Sequence, residues 1–211
     1  MTAVAGLYAV TRTPVNELPR LLEEVRQALR GGARVVQLRD KSRESGARLE
    51  AGLRLNALCR AHGALFLVND DVALAAACDA HGVHLGRDDA SIAAARARLG
   101  RAAVIGASCY NRLSLARRAV EAGADYVAFG RFFPSTTKPE AVSADVSLLR
   151  RARLELAVPV VAIGGITVAN AGSLIEAGAR AVAVIEGLFG ASDITARARE
   201  FAGLFRRHST R

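Results

Sequence analysis

The chain places its chemistry-bearing residues directly after short apolar runs. Val35-Val36-Gln37-Leu38-Arg39-Asp40-Lys41 alternates as a strand does, with Val36 and Leu38 on one face and Val35, Gln37 and Arg39 on the other. An amide and a guanidinium then sit where a core should be, and an unpaired buried charge is costly. No acidic residue on that strand face supplies a partner. Either a carboxylate from elsewhere in the fold pairs with Arg39, or an anionic ligand does. Two acidic clusters follow, Asn69-Asp70-Asp71 and Gly86-Arg87-Asp88-Asp89. Each could simply cap a helix. If they share one mouth with the basic group, they also suit Mg²⁺, which is commonly held by one or two carboxylates plus substrate phosphates. Acid and base on one rim point to a metal-bridged pyrophosphate.

A second set of groups suits a phosphate. The segment Arg131-Phe132-Phe133-Pro134-Ser135-Thr136-Thr137-Lys138-Pro139 is rich in hydroxyls and ends in a lysine. Gly164-Gly165-Ile166-Thr167 and Ile185-Glu186-Gly187 offer bare backbone N–H groups. Of the 29 basic residues only Lys41 and Lys138 are lysines. A compact, mobile ammonium can follow a phosphate that moves during a reaction, where a rigid guanidinium fork would not fit.

The elements that must position these groups form a repeated unit: a helical pattern, then Gly-Ala or Gly-Val, then a short apolar strand. It recurs at Gly32-Ala33, Gly63-Ala64, Gly82-Val83, Gly123-Ala124 and Gly178-Ala179, each glycine placed to end a helix in a left-handed cap. The pattern predicts strands over Leu7–Val10, Val35–Arg39, Leu65–Val68, Val83–Leu85, Val104–Ala107, Tyr126–Phe129, Val160–Ile163 and Ala181–Ile185. It predicts helices near Glu17–Leu29, Arg48–Ala61, Val72–Ala77, Ile92–Leu99, Leu113–Glu121, Val146–Arg153, Val168–Ala177 and Thr195–Phe205. Eight alternations in one chain predict an α/β fold, a single (β/α)8 TIM barrel spanning 1–211. A doubly wound open sheet is the alternative, but Thr11-Arg12-Thr13-Pro14 is not the glycine fingerprint expected after its first strand. In a barrel the residues closing each strand do the chemistry, which brings Arg39, Asp70, Ser108, Gly130, Gly165 and Glu186 to one end.

Composition excludes several classes. A chain of 211 residues with 51% hydrophobic content can bury a sizeable core. Its three cysteines, Cys59, Cys78 and Cys109, form no C-x-x-C pair, so neither a disulfide framework nor a zinc site is expected, and a reducing cytoplasm is. Met1 to Val10 lacks a signal-peptide pattern and no apolar run approaches a membrane span, so no membrane is expected as partner. The net charge of +9 could serve nucleic acid, yet the arginines are scattered and aromatics make up only 5%, which leaves no stacking platform.

Taken in order, Gln37-Leu38-Arg39-Asp40-Lys41, Asn69-Asp70-Asp71, Gly82-Val83-His84-Leu85-Gly86 with Asp88-Asp89, Ser108, Gly130 through Lys138, and Ile163-Gly164-Gly165-Ile166-Thr167 resemble the thiamine-phosphate synthase family over nearly the whole chain. The resemblance implies a (β/α)8 barrel that joins 4-amino-5-hydroxymethyl-2-methylpyrimidine pyrophosphate to thiazole phosphate, releasing pyrophosphate. It implies that the pyrimidine pyrophosphate is held by Gln37, Arg39, Lys41, Asn69, Ser108 and Lys138, with Leu38 and Asp40 inside the same binding stretch. Arg39, Lys41, Ser108 and Lys138 would then be the catalytic groups. Asp70 and Asp89 would bind Mg²⁺. Ser135, Thr136 and Thr137, with Gly165 and the backbone at Ile185 and Glu186, would hold the thiazole phosphate. Two positions depart from the family pattern: Ser135 stands where many members have threonine, and Glu186 where many have a small or hydroxyl residue. The Glu186 carboxylate would repel a phosphate, so its side chain is expected to turn toward an arginine while its backbone N–H faces the ligand.

The chemistry so implied needs no nucleophilic side chain. Pyrophosphate leaves, the aminopyrimidine stabilises the methylene cation and the thiazole nitrogen attacks, so the site must supply charge stabilisation and positioning. His62 and His81 lie near helix ends, His208 in the tail, and His84 within a strand, as a satisfied interior residue. The loops Ser42–Gly46 and Ser135–Ala141 are candidate lids. A thiazole tautomerase on the same scaffold is the near alternative, disfavoured because Arg131 rather than histidine follows Gly130 and both acidic clusters are present. A basic nucleic-acid binder is the distant one. A homo-oligomer is compatible with everything above.

Overall fold

The computed structural model describes residues 4–40, 42, 44–87, 89–134 and 142–209. Eight parallel strands close into a barrel in sequence order. They are β1 (Gly6–Val10), β2 (Ala33–Leu38), β3 (Leu65–Asn69), β4 (Gly82–Leu85), β5 (Val104–Tyr110), β6 (Tyr126–Phe129), β7 (Val160–Ile163) and β8 (Ala181–Val184). Closure is made by β8 against β1, Gly6 pairing with Ala181 and Ala9 with Val184. The helices are α1 (Leu18–Arg30), α2 (Ser45–Ala61), α3 (Val72–Ala77), α4 (Ile92–Leu99), α5 (Leu113–Glu121), α6 (Ser147–Glu155), α7 (Val168–Glu176), α8 (Glu186–Phe189) and α9 (Ile194–Ser209). None of the described helices is long and apolar enough to cross a membrane.

Strand alternation divides the apolar residues between two layers. Tyr8, Val35, Leu67, Tyr126 and Val161 pack inside the barrel, while Val36, Leu38, Phe66, Val68 and Val83 pack outward against the helices. In β2 this sends Gln37 inward and Leu38 outward, as the sequence pattern predicts.

Four expectations shift. Strand β2 ends at Leu38, so Arg39 stands on the mouth rather than in the sheet. Strand β5 runs on to Tyr110 through a bulge, Ser108 pairing with Ala128 and Tyr110 with Phe129, so Ser108 lies within the strand instead of closing it. Strand β8 stops at Val184 and Ile185 becomes the residue before α8, a short helix missing from the sequence pattern because four residues show no period. Gly82 does not cap a helix: it opens β4, where a Cβ would lie 1.8 Å from the Val104 carbonyl oxygen. The left-handed turn before β4 is made by Asp79, at φ 51°.

Candidate active site

The C-terminal ends of the strands surround a cavity of about 360 Å³. Its wall is made by Gln37 of β2, Arg39 just after that strand, Asn69 of β3, His84 of β4 and Ser108 and Tyr110 of β5. The opposite wall is backbone: Gly130, Gly164, Gly165 and the turn Ile185-Glu186-Gly187. Among the described residues no carboxylate forms an ion pair with Arg39, whose backbone N–H is instead fixed by the buried Thr11 hydroxyl at 2.9 Å. A guanidinium so placed favours an anion.

The floor is a chain of hydrogen bonds. Gln37 Nε2 meets Tyr8 Oη at 2.8 Å, and Tyr8 Oη meets Tyr126 Oη at 2.9 Å. Tyr126 Oη lies 2.8 Å from His84 Nδ1, and His84 Nε2 lies 2.9 Å from Ser108 Oγ. The His84 and Tyr126 rings stack at 5.5 Å with 26° between planes. Gly106 permits this, since a Cβ there would stand 2.0 Å from the Tyr126 ring. His84 is satisfied as the sequence predicts, but Tyr8 and Tyr126 escaped the sequence reading. All that the sequence offers is that each is a polar-tipped aromatic at an inward position of a strand, which does not by itself distinguish packing from a hydrogen-bonding role. Burial pushes both phenols well above their ordinary range, Tyr8 despite opposing hydrogen bonds from Tyr126 and Gln37, so both remain protonated.

The acidic residues occupy the adjacent ends of β3 and β4. Asp70 adopts φ 64°, unusual for a non-glycine residue, and its N–H donates to the His84 carbonyl at 2.8 Å. Asp89 turns back over β4, its Oδ2 accepting from Gly86 N–H at 2.5 Å. Asp71, by contrast, caps α3 through Leu74 N–H at 2.8 Å and pairs with Arg48 at 3.1 Å, so the capping reading holds for it. Among the described residues no three His, Cys, Asp or Glu side chains cluster as a complete metal site. Two carboxylates on neighbouring strand ends fit a hard ion whose remaining ligands are phosphate and water oxygens, and Mg²⁺ is such an ion.

Other expected positions divide clearly. Gln37, Arg39, Asn69, Ser108, Gly165, Ile185 and Glu186 all line the cavity. Leu38 faces the helix layer, so anything it offers a ligand is backbone. The Asp40 carboxylate anchors its own loop, accepting from Ser42 N–H at 3.1 Å and from the Ser42 hydroxyl. Lys41, Ser135, Thr136, Thr137 and Lys138 lie outside the described residues, as does Asp88. Pro134, the last described residue before the hydroxyl-rich segment, lines the cavity. The turn leading to it is pinned to the β7 loop by Phe132 N–H on Ile163 O at 3.3 Å and Phe133 N–H on Gly164 O at 3.1 Å. Gly165, at φ 63°, is required for this, because a Cβ would meet the Pro134 carbonyl oxygen at 2.3 Å. The glycines after β7 therefore join two loops as well as baring N–H groups. Glu186 does turn to an arginine: Arg12 Nη1 donates to its two carboxylate oxygens at 3.1 and 2.8 Å, and Arg12 Nη2 to Phe189 O at 2.8 Å.

Fold and cavity together are those of a (β/α)8 barrel with a polar-floored mouth at the C-terminal ends of its strands, where enzymes of this architecture carry their active sites. Residues 7–188 match the family model described as thiamine monophosphate synthase. The thiamine-phosphate synthase of Chromobacterium violaceum is 58% identical over 96% of this chain and 97% of its own, and that of Thiobacillus denitrificans is 56% identical over 97% and 96%. The solved structure of a thiamine phosphate pyrophosphorylase from Pyrococcus furiosus superposes with a TM-score of 0.86 at 35% identity, covering 96% of both chains. The chain belongs to the thiamine monophosphate synthase family.

Proposed function

We propose that this chain condenses 4-amino-5-hydroxymethyl-2-methylpyrimidine pyrophosphate with thiazole phosphate to give thiamine phosphate and pyrophosphate, by a dissociative, Mg²⁺-assisted route. The observation that carries the reading is the convergence of Gln37, Arg39, Asn69 and Ser108 on one cavity whose far wall is the glycine backbone at 164–165 and 185–187. One half can take a ring and a pyrophosphate, the other a second phosphate.

Arg39 holds the departing pyrophosphate by a charge-assisted fork, and Lys41 and Lys138 track it as it leaves. Ser108 and Asn69 orient the pyrimidine end. Bond cleavage is favoured because positive groups already stand where negative charge grows, a preorganised effect that needs no covalent intermediate. Asp70 and Asp89 would hold the Mg²⁺, which when bound neutralises pyrophosphate charge. Ser135, Thr136, Thr137, Gly165 and the backbone N–H groups at 185–186 hold the thiazole phosphate, so that the two rings meet face to face. The cysteines take no part: Cys59 and Cys109 are buried outside the cavity, and burial pushes both thiols up to about 12.

The test is the purified protein with both substrates, with and without Mg²⁺, scored for thiamine phosphate and pyrophosphate. Metal-dependent formation of both in equal amounts is expected. A protein that rearranges a thiazole without releasing pyrophosphate would be a tautomerase instead, and one that makes neither product while retaining mixed-sequence DNA in a steeply salt-dependent way would be a nucleic-acid binder.

A further inference from the structure

We infer that Arg48 is a positioning residue: its guanidinium bridges Asp40 after β2 and Asp71 after β3, and so fixes Arg39 and Asp70, the proposed pyrophosphate and metal groups, relative to each other. The inference rests on the proposal that pyrophosphate is bound and released at this mouth.

Arg48 stands in the first turn of α2 and does not line the cavity. Its Nη2 lies 3.1 Å from Asp71 Oδ2, and its Nε lies 4.0 Å from Asp40 Oδ2. These two nitrogens share one edge of the planar fork, so a single side chain addresses carboxylates that follow different strands. The group is sheltered, with the Asp40 side chain 7% exposed and that of Arg48 19%. Nε is buried and has no hydrogen-bond partner among the described residues. An orphaned buried N–H asks for a reason. Here a shift of about 1 Å between Arg48 and Asp40 would bring the pair to hydrogen-bond distance and complete the fork.

Each carboxylate is also braced within its own loop. Asp40 accepts from Ser42 N–H at 3.1 Å, and Asp71 accepts from Leu74 N–H at 2.8 Å. Arg48 therefore joins two loops that already hold their shape. The residues next to those carboxylates are the ones that face the ligand. Arg39 is held from the β1 side by Thr11, and Asp70 from the β4 side by the His84 carbonyl at 2.8 Å. The bridge through Arg48 ties β2 to β3 between those two anchors. A lysine would offset the same negative charge, but its point-like ammonium cannot present two donors along one edge. Charge and geometry thus separate in Arg48→Lys.

Calorimetry with inorganic pyrophosphate, with and without Mg²⁺, reads this half of the mouth without any reaction. Arg48→Met, which keeps an unbranched stem, is expected to weaken binding in Mg²⁺ by about tenfold or more and to reduce the enhancement that Mg²⁺ gives, the scale seen when a group supporting a metal ligand is lost. Arg48→Lys should lie within about threefold of Arg48→Met, since it keeps the charge and loses the fork. KM for thiazole phosphate should move by less than about threefold in both, because the glycine wall is a separate part of the mouth. Arg48→Lys binding pyrophosphate as wild type does overturns the inference, as does wild-type binding in Arg48→Met, or an equal loss for pyrophosphate and thiazole phosphate. Should Arg48→Met not fold, Arg48→Lys decides by the same readings. Wild type that fails to bind pyrophosphate would overturn the proposed function and this inference with it, whereas wild type and Arg48→Lys binding it equally well would overturn the inference alone.

Discussion

Arg12 and Glu186 provide a quantitative handle on the proposed thiazole phosphate site. The carboxylate sits on the cavity wall, yet both its oxygens are taken by Arg12, which also grips the end of α8 through Phe189 O. Removing Arg12 would leave a negative charge beside the proposed phosphate position. Unit charges at 4 Å repel by about 4 kcal/mol at an effective dielectric near 20. The side chains of Arg12 and Glu186 are 30% and 50% exposed, so a freed carboxylate can swing into solvent and be screened. The net penalty should therefore be about 1–1.5 kcal/mol. Arg12→Ala is expected to raise KM for thiazole phosphate by about tenfold. Glu186→Ala alone should change it by less than about threefold, because an exposed pair is worth under about 1 kcal/mol. The double variant should return to within about threefold of wild type, since the charge that Arg12 restrains is then gone. Steady-state kinetics with saturating pyrimidine pyrophosphate measure all four proteins. A double variant as impaired as Arg12→Ala would refute the electrostatic account and make Arg12 a scaffold for α8. A hundredfold loss in Glu186→Ala would show that the carboxylate acts on the substrate directly.

Other outcomes follow from the same geometry. Asp70→Asn or Asp89→Asn should lower turnover by about a hundredfold or more and weaken Mg²⁺ activation; near-normal activity of both without added metal would remove them from the metal site. Lys41→Arg and Lys138→Arg should each reduce kcat although charge is kept, because a guanidinium fork cannot follow a moving phosphate; a fully active double variant would make the two lysines coincidence. The thiols of Cys59 and Cys109 are raised in the folded state from 9.0 to about 12 by burial. Unfolded thiols lose protons first, so their contribution is complete below pH 9 and is lost as pH climbs toward 12, by up to about 1.4 kcal/mol per pH unit for each. Urea midpoints at pH 8 and 10.5 read this, and a smaller shift is expected in Cys59→Ala, Cys109→Ala protein.

The fold was legible because the strands and helices alternate regularly, with glycine-marked ends between them. Helices α3, α4 and α5 end where the pattern of apolar residues and caps places them. Other boundaries moved by up to about four residues, as where α2 begins at Ser45 and α9 runs to Ser209, and two changes have an identifiable cause. The bulge that carries β5 to Tyr110 depends on pairing with β6, and α8 is too short to show a period. The mouth residues Gln37, Arg39, Asn69 and Ser108 were legible for a related reason: a polar residue at the end of an apolar run is a local anomaly that asks for a partner.

The floor was not legible in that way, and the reason is topological. Tyr8 and Tyr126 are 118 residues apart, and only closure of the barrel brings their hydroxyls to 2.9 Å. Nothing in β1 or β6 alone distinguishes a tyrosine that packs from one that relays a hydrogen bond. Gly106 gives the clearest retrospective clue, since a glycine inside a strand marks a close approach, and here the approaching group is the Tyr126 ring. Sequence anomalies thus locate the rim, where ligand charge must be answered residue by residue. The interior chain from Gln37 through Tyr8, Tyr126 and His84 to Ser108 instead depends on which strands barrel closure sets opposite one another, and so on no single stretch of sequence.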